Sequence, residues 1–210
     1  MKVIEQEIHS LKNSISEMWA LVHQQLYNAG EAMLTGDKEL AYKVISRERR
    51  VNAFELKIDS DCEDIIALYA PVAIDLRFVL AMYKINTNLE RLGDFAESIA
   101  RCAGNLPEGE PIDPQLVKET RVEEMLSELL SMISLTKEAF EKESSEIASR
   151  IFLKDNLIDE INHNSTAIIA KYIEEHKGSA LAGLYMAGVI RKMERFGGHC
   201  TNIAEELIFY

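Results

Sequence analysis

Apolar residues recur with the period of an α-helix along almost the whole chain, and this pattern limits the possible folds more than any other feature. Segments with the apolar–polar alternation of a β-strand are absent from the sequence. The helical pattern is interrupted at Gly36-Asp37, at Pro71 in LYAPVA, and over GNLPEGEPIDPQ at 104–115, which has the composition of a linker. We therefore predict three long helices, a linker, and three further helices at about 114–141, 144–175 and 179–209.

The two halves of the chain resemble each other. The segment LERLGDFAESIA at 89–100 aligns with MERFGGHCTNIA at 193–204, an offset of 104 residues, and the preceding helices align at an offset of 107. Apolar residues trace a bundle seam in both copies. The sequence therefore predicts an all-α protein of two tandem, pseudo-symmetric three-helix bundles, 1–105 and 114–210, joined by a linker at 106–113. The seam residues are Ile85, Leu89, Leu92, Ala96 and Ile99 in the first copy, and Val189, Met193, Phe196, Cys200 and Ile203 in the second.

The charge of the chain excludes several classes of function. A formal net charge of −12 repels nucleic acids and anionic lipid headgroups, and it favours cations or basic surfaces of partner proteins. The longest mostly apolar run, 180–190, is too short to span a membrane, and MKVIEQEIHSLK lacks the apolar core of a signal peptide. We therefore expect a cytoplasmic protein that binds no nucleic acid and does not insert into a membrane.

Acidic residues recur at equivalent positions of the two halves. Carboxylates four residues apart on a helix repel each other unless a cation bridges them, and each half keeps three acids at four equivalent positions. A helical wheel centred on the first seam places Glu90 and Asp94 opposite the core, whereas Glu48 and Asp155 lie at the edge of their apolar stripes. The positions are Glu48, Asn52, Glu90 and Asp94 in the first half, and Asp155, Asp159, Glu194 and Gly198 in the second.

We predict from this recurrence a cation site in each bundle. Ligand sets made of oxygen atoms suit Mg, Ca, Mn or iron better than structural zinc. Two alternatives stay open. The acids could instead bind a basic partner surface without metal, in a helical adaptor. A ferritin-like enzyme would need two Glu-x-x-His motifs, and a single well-placed match, Glu160 with His163, is found. Since no catalytic constellation is visible either, we do not expect an enzyme.

Three segments together resemble the PhoU family of phosphate-uptake regulators. The segment PVAIDLRFVLAMYKINTNLERLGDFAESI at 71–99 is similar to the family's first box, and MERFGGHCTNIAEELIFY at 193–210 is similar to its second. The segments 41–52 and 148–159 resemble the acidic helix that precedes each box. The resemblance implies two three-helix bundles, a homodimer, and acid-x-x-x-Asp motifs that bind iron or zinc. It also implies a negative regulator that links the ATPase subunit of a Pst-type phosphate ABC transporter to a sensor histidine kinase.

The resemblance assigns metal-binding roles to individual residues. Glu90 with Asp94, and Asp155 with Asp159, fill the family's motif completely. Glu48 and Glu194 are each half of a pair, because Asn52 and Gly198 occupy the other positions. Next to Gly198, His199 could supply a nitrogen ligand or could be a hydrogen-bonded histidine within the fold. Arg91 and Arg195, one in each box, are expected to pair with neighbouring acids.

Overall fold

The computed structural model describes residues 3–105 and 112–210, which form eight helical segments and no strand. The all-α fold predicted from the helical periodicity is confirmed. Within the same ranges, no helix is long and apolar enough to cross a membrane. The segments are α1 (Val3–Thr35), α2 (Lys38–Tyr69), α3 (Ile74–Gly104), α4 (Pro114–Thr120), α5 (Val122–Glu141), α6 (Ser145–Ser149), α7 (Ile151–Glu175) and α8 (Ala180–Phe209).

The long helices pack as two three-helix bundles. Helices α1, α2 and α3 pack against one another in the first bundle, and α5, α7 and α8 do so in the second. All ten predicted seam residues of α3 and α8 are buried, as the 4-3-4-3 spacing predicts. The predicted linker, 106–113, lies outside the described residues except for Ile112 and Asp113. Asp113 caps α4, since its side chain accepts a hydrogen bond from the Gln115 amide at 2.8 Å.

Two predicted helices of the second half are each divided in two. The helix predicted at 114–141 breaks at Arg121, whose backbone is left-handed with φ 57°. The Arg121 guanidinium donates to Glu124 at 2.7 Å and to Glu160 at 2.6 Å, so ion pairs hold the break in place. The helix predicted at 144–175 breaks at Arg150, where the amide donates to the carbonyl three residues before it. Neither break has a glycine or proline to mark it in the sequence.

The two bundles share one continuous apolar core, because α1 packs against α5 and α3 packs against α8. Trp19 on α1 is fully buried at this junction, where its indole N–H donates to the Thr136 hydroxyl at 3.0 Å. Its ring stacks on Phe140 of α5, with 5.1 Å between centroids. The hydrogen bond gives the junction a specific register that apolar contact alone would not provide.

Helices α3 and α8 run antiparallel across the junction. Lys84 lies 3.0 Å from Glu206, and farther along α3 the Phe95 ring lies 5.5 Å from the His199 ring. Positions 95 and 199 are equivalent at the repeat offset of 104 residues. Their mutual contact therefore lies on the approximate two-fold axis that relates the two bundles.

Candidate functional site

Glu48 on α2 is the most unusual acid of the first bundle. It is 6% exposed, and neither carboxylate oxygen has a hydrogen-bond partner among the described residues. Burial, followed by the charges of Asp94, Glu97 and Glu90, raises the pKa of Glu48 to about 7. The helical wheel places Glu48 at the edge of its apolar stripe, and in the structure α3 covers that edge, which a wheel of one helix cannot show. A buried carboxylate without a partner is a ready acceptor for a proton or a cation.

Glu90 and Asp94 on α3 are half-buried and lie near Glu48. Their side chains are 22% and 37% exposed, so the prediction that both point directly away from the core was too simple. Burial, then the charge of Asp94, raises the pKa of Glu90. Arg91 lies 3.6 Å from Glu90 and 3.1 Å from Asp94, and this confirms the predicted ion pairing of that arginine.

Gly93 makes room for Glu48 between α2 and α3. A Cβ atom on Gly93 would lie 2.9 Å from Val51 Cγ1 and 3.5 Å from Glu48 Oε2. Because the first contact is shorter than real Cβ contacts, the two helices could not stay this close with a larger residue at position 93. The glycine of the first box thus brings an acid of the preceding helix to the seam.

The second bundle repeats this arrangement. A Cβ atom on Gly197 would lie 2.9 Å from Asp155 Oδ1, so the second box also makes room for an acid of the helix before it. Burial, followed by the charges of Asp159 and Glu194, raises the pKa of Asp155 to about 6. Asp159 is exposed and Glu194 is half-buried. The structure therefore brings the three predicted acids of the second bundle into electrostatic contact, as it does Glu48, Glu90 and Asp94 in the first.

Two positions that depart from the family pattern contribute no carboxylate. Gly198 faces open space, because a Cβ atom on it would meet no described neighbour within 4 Å, and Asn52 is exposed. His199 is half-buried, and its Nδ1 lies 2.8 Å from Asn88 Oδ1 of the other bundle. Burial, followed by the charge of Arg91, lowers the pKa of His199. Of the two alternatives left open for this histidine, the structure has the hydrogen-bonded one.

Sequence reasoning missed three acids near the first cluster. Glu97 lies beside Glu48 and pairs with Arg101 at 2.6 Å. Glu55 and Asp59 repeat the acid-x-x-x-Asp spacing seven residues beyond Glu48, and that spacing was readable in the sequence as ELKID. A surface cavity of about 690 Å³ opens beside the cluster. Its lining includes Tyr42, Glu48, Arg49, Asn52, Asp94, Glu97 and Arg101.

The clusters fit a cation in donor type and charge. Carboxylate oxygens are the ligands of hard cations, and burial, followed by the charges of neighbouring acids, raises the pKa values of Glu48 and Asp155. In the side-chain positions of residues 3–105 and 112–210, no group of three or more His, Cys, Asp or Glu is gathered to hold a metal ion. A cation would therefore have to draw these side chains together.

The motif considered for a ferritin-like site is placed differently. Glu160 pairs with Arg121 at 2.6 Å and has a side chain that is 55% exposed, and His163 is exposed as well. A di-iron site would need both residues to project into the bundle. The single Glu-x-x-His match therefore does not form the interior half-site that this alternative requires.

The fold and the site together define a duplicated helical bundle with one recessed carboxylate cluster in each half. A family model described as the PhoU domain matches residues 15–103 and 122–207. The chain belongs to the PhoU family.

Named relatives and solved structures agree with this assignment. The chain is similar to the phosphate-specific transport system accessory protein PhoU homolog of Burkholderia sp., with 32% identity covering 97% of this chain and 86% of the relative. It is also 32% identical to the phosphate-specific transport system accessory protein PhoU of Escherichia coli, covering 97% and 83% of the two chains. The crystal structure of PhoU from Pseudomonas aeruginosa superposes with a TM-score of 0.91 at 28% identity, covering 98% of this chain and 97% of that one. The phosphate transport system regulatory protein PhoU from Streptococcus pneumoniae gives a TM-score of 0.87 at 28% identity, covering 98% and 95%.

Proposed function

We propose that this protein is a cytoplasmic accessory protein of a phosphate-specific transport system that restrains phosphate uptake when phosphate is abundant. In this proposal it acts as a homodimer that links the ATPase subunit of the transporter to a sensor histidine kinase, and it is a regulator and not an enzyme. Relatives that align over almost the whole chain are named as accessory proteins of such a system, which supports the transporter partner.

The proposal includes a cation site in each bundle, built on Glu90 with Asp94 and on Asp155 with Asp159. Glu48 and Glu194 would complete the two ligand sets. The cation sites are proposed mainly because the buried carboxylate of Glu48 has no hydrogen-bond partner among the described residues and lies near Asp94, Glu97 and Glu90. A bound cation would neutralise this charge and tie α2 to α3. Oxygen ligands suit iron, Mn, Mg or Ca, and the family resemblance adds zinc.

Deleting the gene tests the regulatory role. Loss of a restraining protein should raise phosphate uptake and activate the phosphate-starvation response in phosphate-rich medium. Uptake of labelled phosphate and a starvation-responsive reporter measure the two effects. Unchanged uptake and unchanged reporter output would refute the proposed role in phosphate transport.

Metal content tests the cation sites. Replacing Glu90 and Asp94 with Ala should lower the metal bound to protein purified without chelator, because it removes two of the predicted ligands of the first site. Elemental analysis measures the metal, and circular dichroism checks the helical fold. The variant with Glu174 and Glu175 replaced by Ala removes the same charge from exposed positions of α7 and serves as the control. Equal metal content in all three proteins would exclude the site.

A second candidate is an adaptor that works without metal and regulates another transporter. The specific observation in its favour is Arg91, which already lies within 3.6 Å of Glu90 and 3.1 Å of Asp94 and compensates part of their charge. In that case the acid clusters of the two bundles would bind basic side chains of the partner. Metal-free protein that still restores normal regulation to the deletion strain would favour this candidate.

A further inference from the structure

The end of α2, the turn that follows it and the start of α3 expose four large apolar side chains, which we name the apolar tip: Ile66, Leu68, Val72 and Ile74. Leu68, Val72 and Ile74 are 71%, 74% and 75% exposed, and Ile66 is 39% exposed. They lie within nine residues of sequence on both sides of the buried Pro71. Single exposed apolar residues are ordinary on protein surfaces, but four within nine residues of sequence, three of them more than 70% exposed, point to a contact with something else.

The backbone of this turn is unusual for its residue types. Ala70 has φ 45° and ψ 57°, and Ala73 has φ 50° and ψ −113°. Residues with a Cβ atom rarely adopt such conformations, and glycine would adopt them without strain. The turn therefore keeps alanine at two positions where glycine would be easier, and it holds Val72 outward between them.

The fold itself does not require an apolar turn here. The equivalent connection of the second bundle, between α7 and α8, consists of His176, Lys177, Gly178 and Ser179. It places glycine in the left-handed region, with Gly178 at φ 89°. Two antiparallel helices of this length can therefore be joined by polar residues and a glycine, so the apolar tip needs a reason other than chain reversal.

The charges around the apolar tip indicate what can cover it. Residues 58–76 contain five acids and no Lys, Arg or His, and they are flanked by Lys57 and by the exposed Arg77. One of these acids, Asp61, is paired with Lys57, and Glu63 and Asp64 are exposed. A second copy of this chain that met this turn with its own turn would bring the same acids against it, and an anionic lipid surface would be repelled as well. The complementary surface is an apolar groove edged by Lys and Arg.

We propose that the apolar tip is the docking element for a protein that presents an apolar groove edged by basic residues. Resting on the proposed function, we assign that groove to the ATPase subunit of the phosphate transporter. Leu68, Val72 and Ile74 enter the groove, and the acids at the end of α2 face its basic edge. Because α3 and α8 are antiparallel, the tip lies at the opposite end of the molecule from the polar turn of the second bundle.

The double variant Leu68→Asp/Val72→Asp tests the assignment. Both positions are exposed, so the substitutions leave the core intact, while two added charges would have to be buried in an apolar groove. Purified full-length proteins are titrated against the purified ATPase subunit by biolayer interferometry. We expect the variant to bind at least about tenfold more weakly than the unaltered protein. We also expect affinity to fall as salt rises, because the acids contribute to association.

A matched control is Leu181→Asp/Leu184→Asp, which adds two charges at exposed leucines of the second bundle. This variant should bind as the unaltered protein does. Unchanged affinity of the double variant, or equal weakening by the control, would overturn the docking assignment and leave the proposed function standing. If the unaltered protein does not bind the ATPase subunit at all, the transporter partner of the proposed function fails together with the assignment. Binding to phosphatidylglycerol–phosphatidylethanolamine vesicles that only the double variant loses would replace the protein groove with a membrane, which also overturns the assignment.

Discussion

Replacing Glu48 with Gln should remove a pH dependence of stability that the buried carboxylate creates. Burial, Asp94, Glu97 and Glu90 raise the pKa of Glu48 from 4.5 to about 7 in the folded protein, so the native state keeps a proton that the unfolded chain has released. This contribution to stability is therefore fully present below about pH 4.5 and is lost as the pH rises through about 7. This shift in the pKa of Glu48 corresponds to about 3 kcal/mol of unfolding free energy, or roughly 6 to 12 °C in Tm for a chain of this size.

Urea denaturation from pH 5 to pH 8, in EDTA, measures the effect. Between these limits the free energy of unfolding of the unaltered protein should fall by about 2 to 3 kcal/mol more than that of Glu48→Gln, which has no charge to bury at this position. The variant Glu63→Gln removes an exposed carboxylate from the same helix and should follow the unaltered protein. Parallel pH profiles for the unaltered protein and Glu48→Gln would refute the reasoning, because they would mean that Glu48 ionises without cost in the folded state.

Further predictions concern packing and the turn. Gly93→Ala places a methyl group 2.9 Å from a neighbouring valine and should destabilise the protein by about 1 to 3 kcal/mol. Gly198→Ala meets no atom within 4 Å and should be neutral or stabilising by up to about 1 kcal/mol. Thermal denaturation compares the two variants. Trp19→Phe loses the hydrogen bond to Thr136 and should cost about 1 to 3 kcal/mol in urea denaturation, and an unchanged midpoint would exclude a structural role for that bond. Ala73→Gly should raise Tm, since glycine adopts φ 50° and ψ −113° freely, and a lower Tm would contradict the strain.

The sequence predicts the helices and the core well because both depend on local periodicity. The stripe from Ile85 to Ile99 is buried as expected, since an apolar stripe on a helix has few ways to leave water. The helix break at Arg121 could not be predicted, because it depends on ion pairs with Glu124 and with Glu160, which is 39 residues away. Such pairing belongs to the tertiary structure and leaves no mark in a local window.

The site was predicted in composition but not in burial. The recurrence of acids in both halves identified Glu48 and Asp155, yet a wheel drawn for one helix cannot show that the next helix covers them. What the wheel leaves out is the effect of the glycine in each of the two boxes, which lets the neighbouring helix come close. Gly93 and Gly197 recur at the offset of 104 residues, and each lies against the acid of the preceding helix. A glycine repeated in the middle of two otherwise well-formed helices was the available signal for close helix contact.

The contact between Phe95 and His199 has a consequence for how the two halves can diverge. In an assembly of identical bundles, a residue on the two-fold axis meets its own copy, and every substitution there occurs twice. In a duplicated chain the two positions are separate codons, so a phenylalanine can face a histidine. His199 also bonds Asn88, whereas the equivalent contact would join Phe95 to Lys192, which cannot form that bond. The two halves of the chain thus place different residues at the centre of the molecule, and one half can change there while the other is preserved.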